Sequence, residues 1–89
     1  MMARRLGVIS REILADWKKV NFAAKPYLDA MCTLGSIDDM YMFESGREIV
    51  TRFLINASTW RGEVARRVKL ELKNMLETQR GRDYGANAP

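Results

Sequence analysis

The stretch STWRGEVARR, residues 58–67, sets an indole, a guanidinium and a glycine side by side at Trp60, Arg61 and Gly62, then adds Arg66 and Arg67. Placed at a helix start, these residues suit one of two chemistries. The first is an anion site, because free first-turn amides and the positive end of the helix dipole favour negative charge. Gly62 would let a ligand or another backbone come close, and Trp60 could stack on a base. The second is structural. The Arg61 stem packs while its head reaches Asp38, Asp39, Glu48 or a helix C-terminal carbonyl, and Trp60 belongs to the core.

Other chemistries find few residues to work with. Asp38, Asp39 and Glu44 could approach a hard cation, but DDMYMFE lacks the alternating oxygen ligands and central glycine of a calcium loop. With no histidine and one cysteine, the usual zinc ligand sets cannot be assembled. Cys32 has no base beside it in sequence, and no glycine-rich phosphate loop is present. The reading therefore expects neither an enzyme nor a bound cofactor or metal.

The elements that must position these residues read as helical throughout, because apolar residues recur at steps of three and four and the alternation of β-branched residues is missing. Ser10 is expected to cap a first helix, with Ile9 as staple and Ile13, Leu14, Trp17 and Val20 on one face, stopping at Asn21. Pro26 opens a second, short helix through Leu28, Met31 and Leu34, and Gly35 ends it in a left-handed conformation. Ser36 and Asp39 have capping-box spacing, which predicts a helical turn before Gly46. Ser45 and Glu48 form a better box for a third helix through Ile49, Val50, Phe53, Leu54 and Ala57. Ser58 or Thr59 would cap the last helix, striped by Trp60, Val64, Val68, Leu72 and Met75 and widened by Ala65 and Leu76.

On a wheel counted from Trp60, that stripe covers about 0° to 160°. Arg66, Lys69 and Lys73 then line the far side, at about 240°, 180° and 220°. Glu63, Arg67 and Glu71 form i,i+4 pairs along one edge, which gives Arg67 a structural role. Arg61, at about 100°, falls inside the apolar stripe, so it needs a partner.

A chain of 89 residues and 47% apolar content fits one small domain. The expected architecture is all-α: a small bundle of three to four main helices plus a short helical turn over residues 1–80, followed by a loose polar tail at 81–89. The net charge of +4 is unevenly spread. Residues 1–26 carry six basic and two acidic groups, residues 27–57 two and five, and residues 58–82 seven and three. Basic ends around an acidic middle could neutralise each other within the fold, pair head to tail between subunits, or leave a basic face free for a polyanion.

The start, MMARRLGVIS, has the arginines of a signal-peptide n-region, but Ser10, Arg11 and Glu12 cut the apolar run that should follow. No stretch approaches a membrane span, and the single cysteine allows no internal disulfide, so the cytoplasm is the expected compartment. Met40, Tyr41, Met42 and Phe43 form a large, adaptable run suited to covering a thin core or to meeting a partner, and a homo-oligomer is expected from it.

DWKKV, PYLDAM, SIDDMY and NASTWRGEVARRVKLELK, together covering most of residues 16–73, resemble small proteins encoded by tailed bacteriophages. The resemblance implies action against a host defence system, by blocking a nuclease complex or sequestering a nucleotide signal. It assigns no role to any residue. The combined expectation is a binding protein whose Trp60, Arg61, Arg66, Lys69 and Lys73 engage a nucleotide or nucleic acid. The alternatives are a structural or protein-interaction module using residues 40–43, and a helix-turn-helix-like DNA binder whose third and fourth helices meet at a very short or continuous joint near residues 57–60.

Overall fold

A computed structural model describes residues 4–87, with side chains in the last helix described as far as Glu77. The order of elements is α1 (Leu6–Asp16), α2 (Lys25–Met31), β1 (Met40–Tyr41), β2 (Glu44–Ser45), α3 (Gly46–Ile55) and α4 (Glu63–Asn87). The segment expected as a polar tail, residues 81–89, lies outside those whose side chains are described.

Three cross-links show that the helices run up, down, up and down. The Gly7 amide donates to the Leu34 carbonyl (3.0 Å), joining the start of α1 to the chain just beyond α2. Asn21 Nδ2 donates to the Asn56 carbonyl (3.1 Å), joining the entry of α2 to the exit of α3. Arg47 donates to the Leu76 carbonyl (3.3 Å), setting the start of α3 beside the body of α4. Leu6, Ile9, Ile13, Leu28, Met31, Ile49, Val50, Phe53, Val68 and Leu72 fill the space between. The α4 stripe matches its expected face: Ala65, Val68 and Leu72 are buried, and Val64, Met75 and Leu76 are half-buried.

Several boundaries depart from the sequence reading. α1 begins at Leu6 rather than after Ser10, because Leu6 and Ile9 are both fully buried core residues. Ser10 is interior to the helix, where its Oγ donates to the Gly7 carbonyl (2.8 Å) and lies 3.1 Å from Cys32 Sγ. Such back-bonding satisfies a buried hydroxyl within a helix. Asn21 does not stop α1, which ends at Asp16. Its Oδ1 instead accepts from the Ala24 amide (2.8 Å) and so shapes the turn into α2. Gly35 is not left-handed; Gly62 is the glycine with positive φ among the described residues. α2 stops at Met31, and overlapping turns carry the chain on to Leu34.

The largest departure is at residues 36–45, where a helical turn is expected and an antiparallel hairpin is found, with Met40 opposite Ser45 and Tyr41 opposite Glu44. The fold is mostly helical, as expected, with one short hairpin in place of the expected helical turn. Half of the expected Ser36–Asp39 box does form, since Asp39 Oδ2 accepts from the Ser36 amide (3.1 Å) and the Gly35 amide (2.8 Å). These bonds close a tight loop, and the chain then turns back at Met42 and Phe43. Met42 holds φ at 58°, a left-handed value that side chains other than glycine and asparagine seldom adopt. The Ser45 cap of α3 is as expected, with its Oγ accepting from the Glu48 amide (3.2 Å).

Arg67 is structural, but its partner is not on its own helix. It pairs with Glu12 of α1, which also meets Arg4 (2.8 Å), and Arg4 in turn reaches Glu71 (2.7 Å). Glu12 and Glu71 have side chains only about a quarter exposed, which limits solvent screening of the network. Hydrogen bonds first from Arg67 and then from Arg4 hold the Glu12 carboxyl below its ordinary value of 4.5. The amides of Gly35 and Ser36 likewise hold Asp39 below 3.8. A carboxylate with a lowered folded pKa contributes stability that is complete above its unfolded value and is lost as pH falls through the folded one. Wild-type stability in urea titrations should therefore fall as pH drops below about 4.5. Glu12→Gln, which has lost its part already at neutral pH, should show a shallower fall; an unchanged slope would count against the network.

Candidate basic site

The site is built where α3 hands over to α4. The joint is neither continuous nor very short. α3 ends at Ile55, α4 starts at Glu63, and residues 56–62 form a connection longer than the three- or four-residue turn of a helix-turn-helix. Gly62, at φ 114°, makes the last bend into α4, a backbone conformation that only glycine adopts without strain. Its carbonyl accepts from the Arg66 amide (2.9 Å), the first helical bond. Ser58 and Thr59 are thus not the caps; Thr59 Oγ1 accepts from Asn21 Nδ2 (3.3 Å).

This late start changes the meaning of the Trp60–Arg61 corner. Trp60 is 2% exposed, and its ring lies against Trp17, with centroids 5.8 Å apart and planes at 11°. Phe53 is tilted against it at 6.5 Å, and Nε1 donates to Asp16 Oδ2 (2.8 Å). One indole face is thus occupied by Trp17, and the residue is a core element. Arg61 precedes the helix, so the wheel position inside the apolar stripe does not apply to it. It is exposed, and it forms no ion pair with Asp38, Asp39 or Glu48.

Two acids of the middle segment are paired from within it and a third from the segment before it. Asp38 pairs with Arg47 (3.5 Å), Glu44 with Arg52, and Asp29 with Lys25 (3.2 Å). Arg4 and Arg67 take Glu12 and Glu71. Arg61, Lys69 and Lys73 have no ion-pair partner among the described residues, and neither do Arg5, Arg11, Lys18, Lys19 and Arg66. Lys69 bends back over the corner: its Nζ donates to the Trp60 carbonyl (2.6 Å) and lies 5.8 Å from the Trp60 ring centroid. Burial lowers its pKa, and repulsion from Lys73 and then Arg61 lowers it further. Arg61, Lys69 and Lys73 are therefore brought together. Arg66, one turn before Lys69 on α4, also lines a shallow groove with Glu63, Val64, Arg67 and Leu70.

The α1–α2 connection lies on the same end of the molecule, tied there by Asn21 and by the Trp17–Trp60 stack. It carries exposed Lys18 and Lys19 at this end, with Phe22 90% exposed and, across the tie, Ile55 70% exposed. Sequence reading does not single out these residues, although WKKVNF interleaves cations with aromatics. The Met40–Phe43 run is placed at the opposite end. It forms the hairpin and its tip, where Met42 is 79% and Phe43 96% exposed. It does not cover the core, and it does not meet the basic residues.

No group of three or more metal-ligating side chains occurs among the described residues, and no helix there is long and apolar enough to cross a membrane. Comparison with protein families, curated proteins and solved structures gave no match.

Proposed function

We propose that this protein acts by binding, and that Arg61, Lys69 and Lys73, extended by Lys18 and Lys19, engage the phosphates of a nucleic acid. The observation that carries the reading is the placement of Lys69, which reaches the Trp60 carbonyl beside Arg61 and is repelled by Lys73 and Arg61, three cations that form no ion pair among the described residues. An anion placed there would relieve the repulsion that now lowers the Lys69 pKa. Arg61 and Lys73 are exposed and Lys69 is half-buried, which suits a chain of phosphates passing over the surface.

Phosphate contacts release condensed counterions, so affinity should fall steeply with salt. Replacing both Arg61 and Lys73 with glutamine should reduce the slope of log affinity against log salt by about two, with uniform weakening across base sequences. Anisotropy titrations of a labelled oligonucleotide at several salt concentrations measure this. Both side chains are exposed, so the fold should be unchanged. A slope equal to that of the wild type would place the phosphates elsewhere.

The exposed Met42–Phe43 tip favours a second reading, a protein-interaction module that joins copies of this chain or blocks a host protein, as the phage-type resemblance implies. Native mass spectrometry of protein purified from cells separates the two. A closed oligomer without added mass supports the second reading, whereas co-purified nucleic acid supports the first.

A further inference from the structure

We propose that the nucleic acid held at the basic end is single-stranded, with a base stacked on Phe22. The inference rests on the polyanion reading above and names its ligand. Phe22 is the most exposed large apolar side chain at that end, at 90%, and a phenyl ring left in water forgoes the favourable free energy of burial. The ring is not on a loose loop. The Asn21 carbonyl accepts from the Ala24 and Lys25 amides (3.2 and 3.1 Å), and Asn21 Oδ1 accepts again from Ala24. Asn21 Nδ2 ties the turn to Asn56 and Thr59, while Ala24 is fully buried. On the other side Trp17 anchors the segment against Trp60. The result is a firmly held, outward-facing aromatic, three and four residues from Lys19 and Lys18 and joined through Thr59 to the Arg61–Lys69 corner.

Duplex binding by phosphate contact has no use for such a ring. A base accessible to it must be unstacked, as in a single strand, where cations follow the backbone and aromatics take the bases. The presenting element also argues against duplex readout, because it is a turn, neither a helix nor a ribbon shaped for the major groove. Ile55, 70% exposed across the Asn21–Asn56 bond, offers an apolar edge for a neighbouring base.

The test uses the full chain, a labelled oligothymidylate, a duplex of equal length, and vesicles containing anionic phospholipid. The wild type should bind the single strand more tightly than the duplex. Phe22→Ala should weaken the single strand by roughly 5- to 150-fold, the range expected for one stacked base, while changing duplex affinity less than about twofold. Its salt slope should stay that of the wild type, since no phosphate contact is lost. Circular dichroism should show an unaltered helix content, as the ring buries little in the folded protein. Equal losses on both probes, or no loss on either, would overturn the inference while leaving polyanion binding intact. Binding to the vesicles through Phe22 without binding the oligothymidylate would assign the ring to a lipid surface and overturn it too. Absence of binding to either nucleic acid at low salt would remove the polyanion reading itself.

Discussion

Trp60→Ala should cost about 3–5 kcal/mol of folding stability, the range for truncating a large buried aromatic. Trp60 is almost fully enclosed, stacked on Trp17 and tilted against Phe53, with Trp17 edge-on to Phe53 at 6.3 Å. Aromatic pairs at such distances contribute beyond the area they bury. Three segments distant in sequence meet at this cluster: the end of α1, the end of α3 and the entry to α4. Removing the indole opens a cavity where they join and deprives Asp16 of its hydrogen-bond donor. Against a total stability of about 5–15 kcal/mol for a small domain, the loss would leave a substantial unfolded fraction. Urea denaturation followed by circular dichroism measures it. Trp60→Phe, which keeps much of the volume and loses the N–H, should fall between the two. A loss below about 1 kcal/mol for the alanine variant would mean that the cluster does not hold the segments together.

Gly46→Ala should be the next most damaging, at about 1–3 kcal/mol, the range for forcing an extra methyl into a packed site. A Cβ at this position would lie 2.8 Å from the Ser36 carbonyl oxygen, 2.9 Å from Ile37 Cα and 3.1 Å from the Ile37 carbonyl carbon. All three are backbone atoms of a loop held by the bonds from the Gly46 amide to Asp39 (2.7 Å) and from the Arg47 amide to Ile37 (2.8 Å). None of them can yield without moving the loop, and the hairpin would move with it. Gly35→Ala is the internal control. Its Cβ would meet Asp39 Oδ2 at 3.0 Å and the Arg5 guanidinium at 3.2 Å, both ends of flexible side chains. Thermal melts of the two variants should therefore separate, with Gly46→Ala melting lower. Equal melting temperatures would contradict the backbone origin of the effect.

The elements that could be read from sequence are those whose signals are local and mutually consistent. Ser45 and Glu48 mark the start of α3 because the cap and the apolar run behind it agree. The stripe from Val64 to Leu76 is legible because every member sits on one continuous helix. Extending that stripe to Trp60 fails through one residue: Gly62 takes φ 114°, which breaks the helical count between Trp60 and Val64. Both indole and guanidinium then move from a helix face to a loop, one into the core and the other into solvent. Ser10 misleads for a different reason. A serine ahead of an apolar run reads as a cap, yet long-range packing of Leu6 and Ile9 places it inside the helix. The hairpin has no Asn-Gly or Asp-Gly signature to announce it, since Met42 occupies the left-handed position. Of the candidate site, Lys69 and Lys73 could be read from helix periodicity. Lys18, Lys19 and Phe22 could not, because contacts between residues distant in sequence, the Asn21 bonds and the Trp17–Trp60 stack, bring them to the same end.

The Trp17–Trp60 stack makes the protein its own optical gauge. The chain has two tryptophans, and both belong to this one contact. Intrinsic fluorescence therefore reports a single event, the meeting of two distant segments that the Trp60–Asp16 bond, spanning 44 residues, also joins. Two indoles fixed against each other in an asymmetric site should also give a near-ultraviolet dichroism signal that vanishes when the stack opens. Neither ring is free to receive a base. A change in tryptophan emission on adding an oligonucleotide would thus signal movement of the loops themselves, and unchanged emission alongside measurable binding would mean that the ligand docks onto a surface already formed.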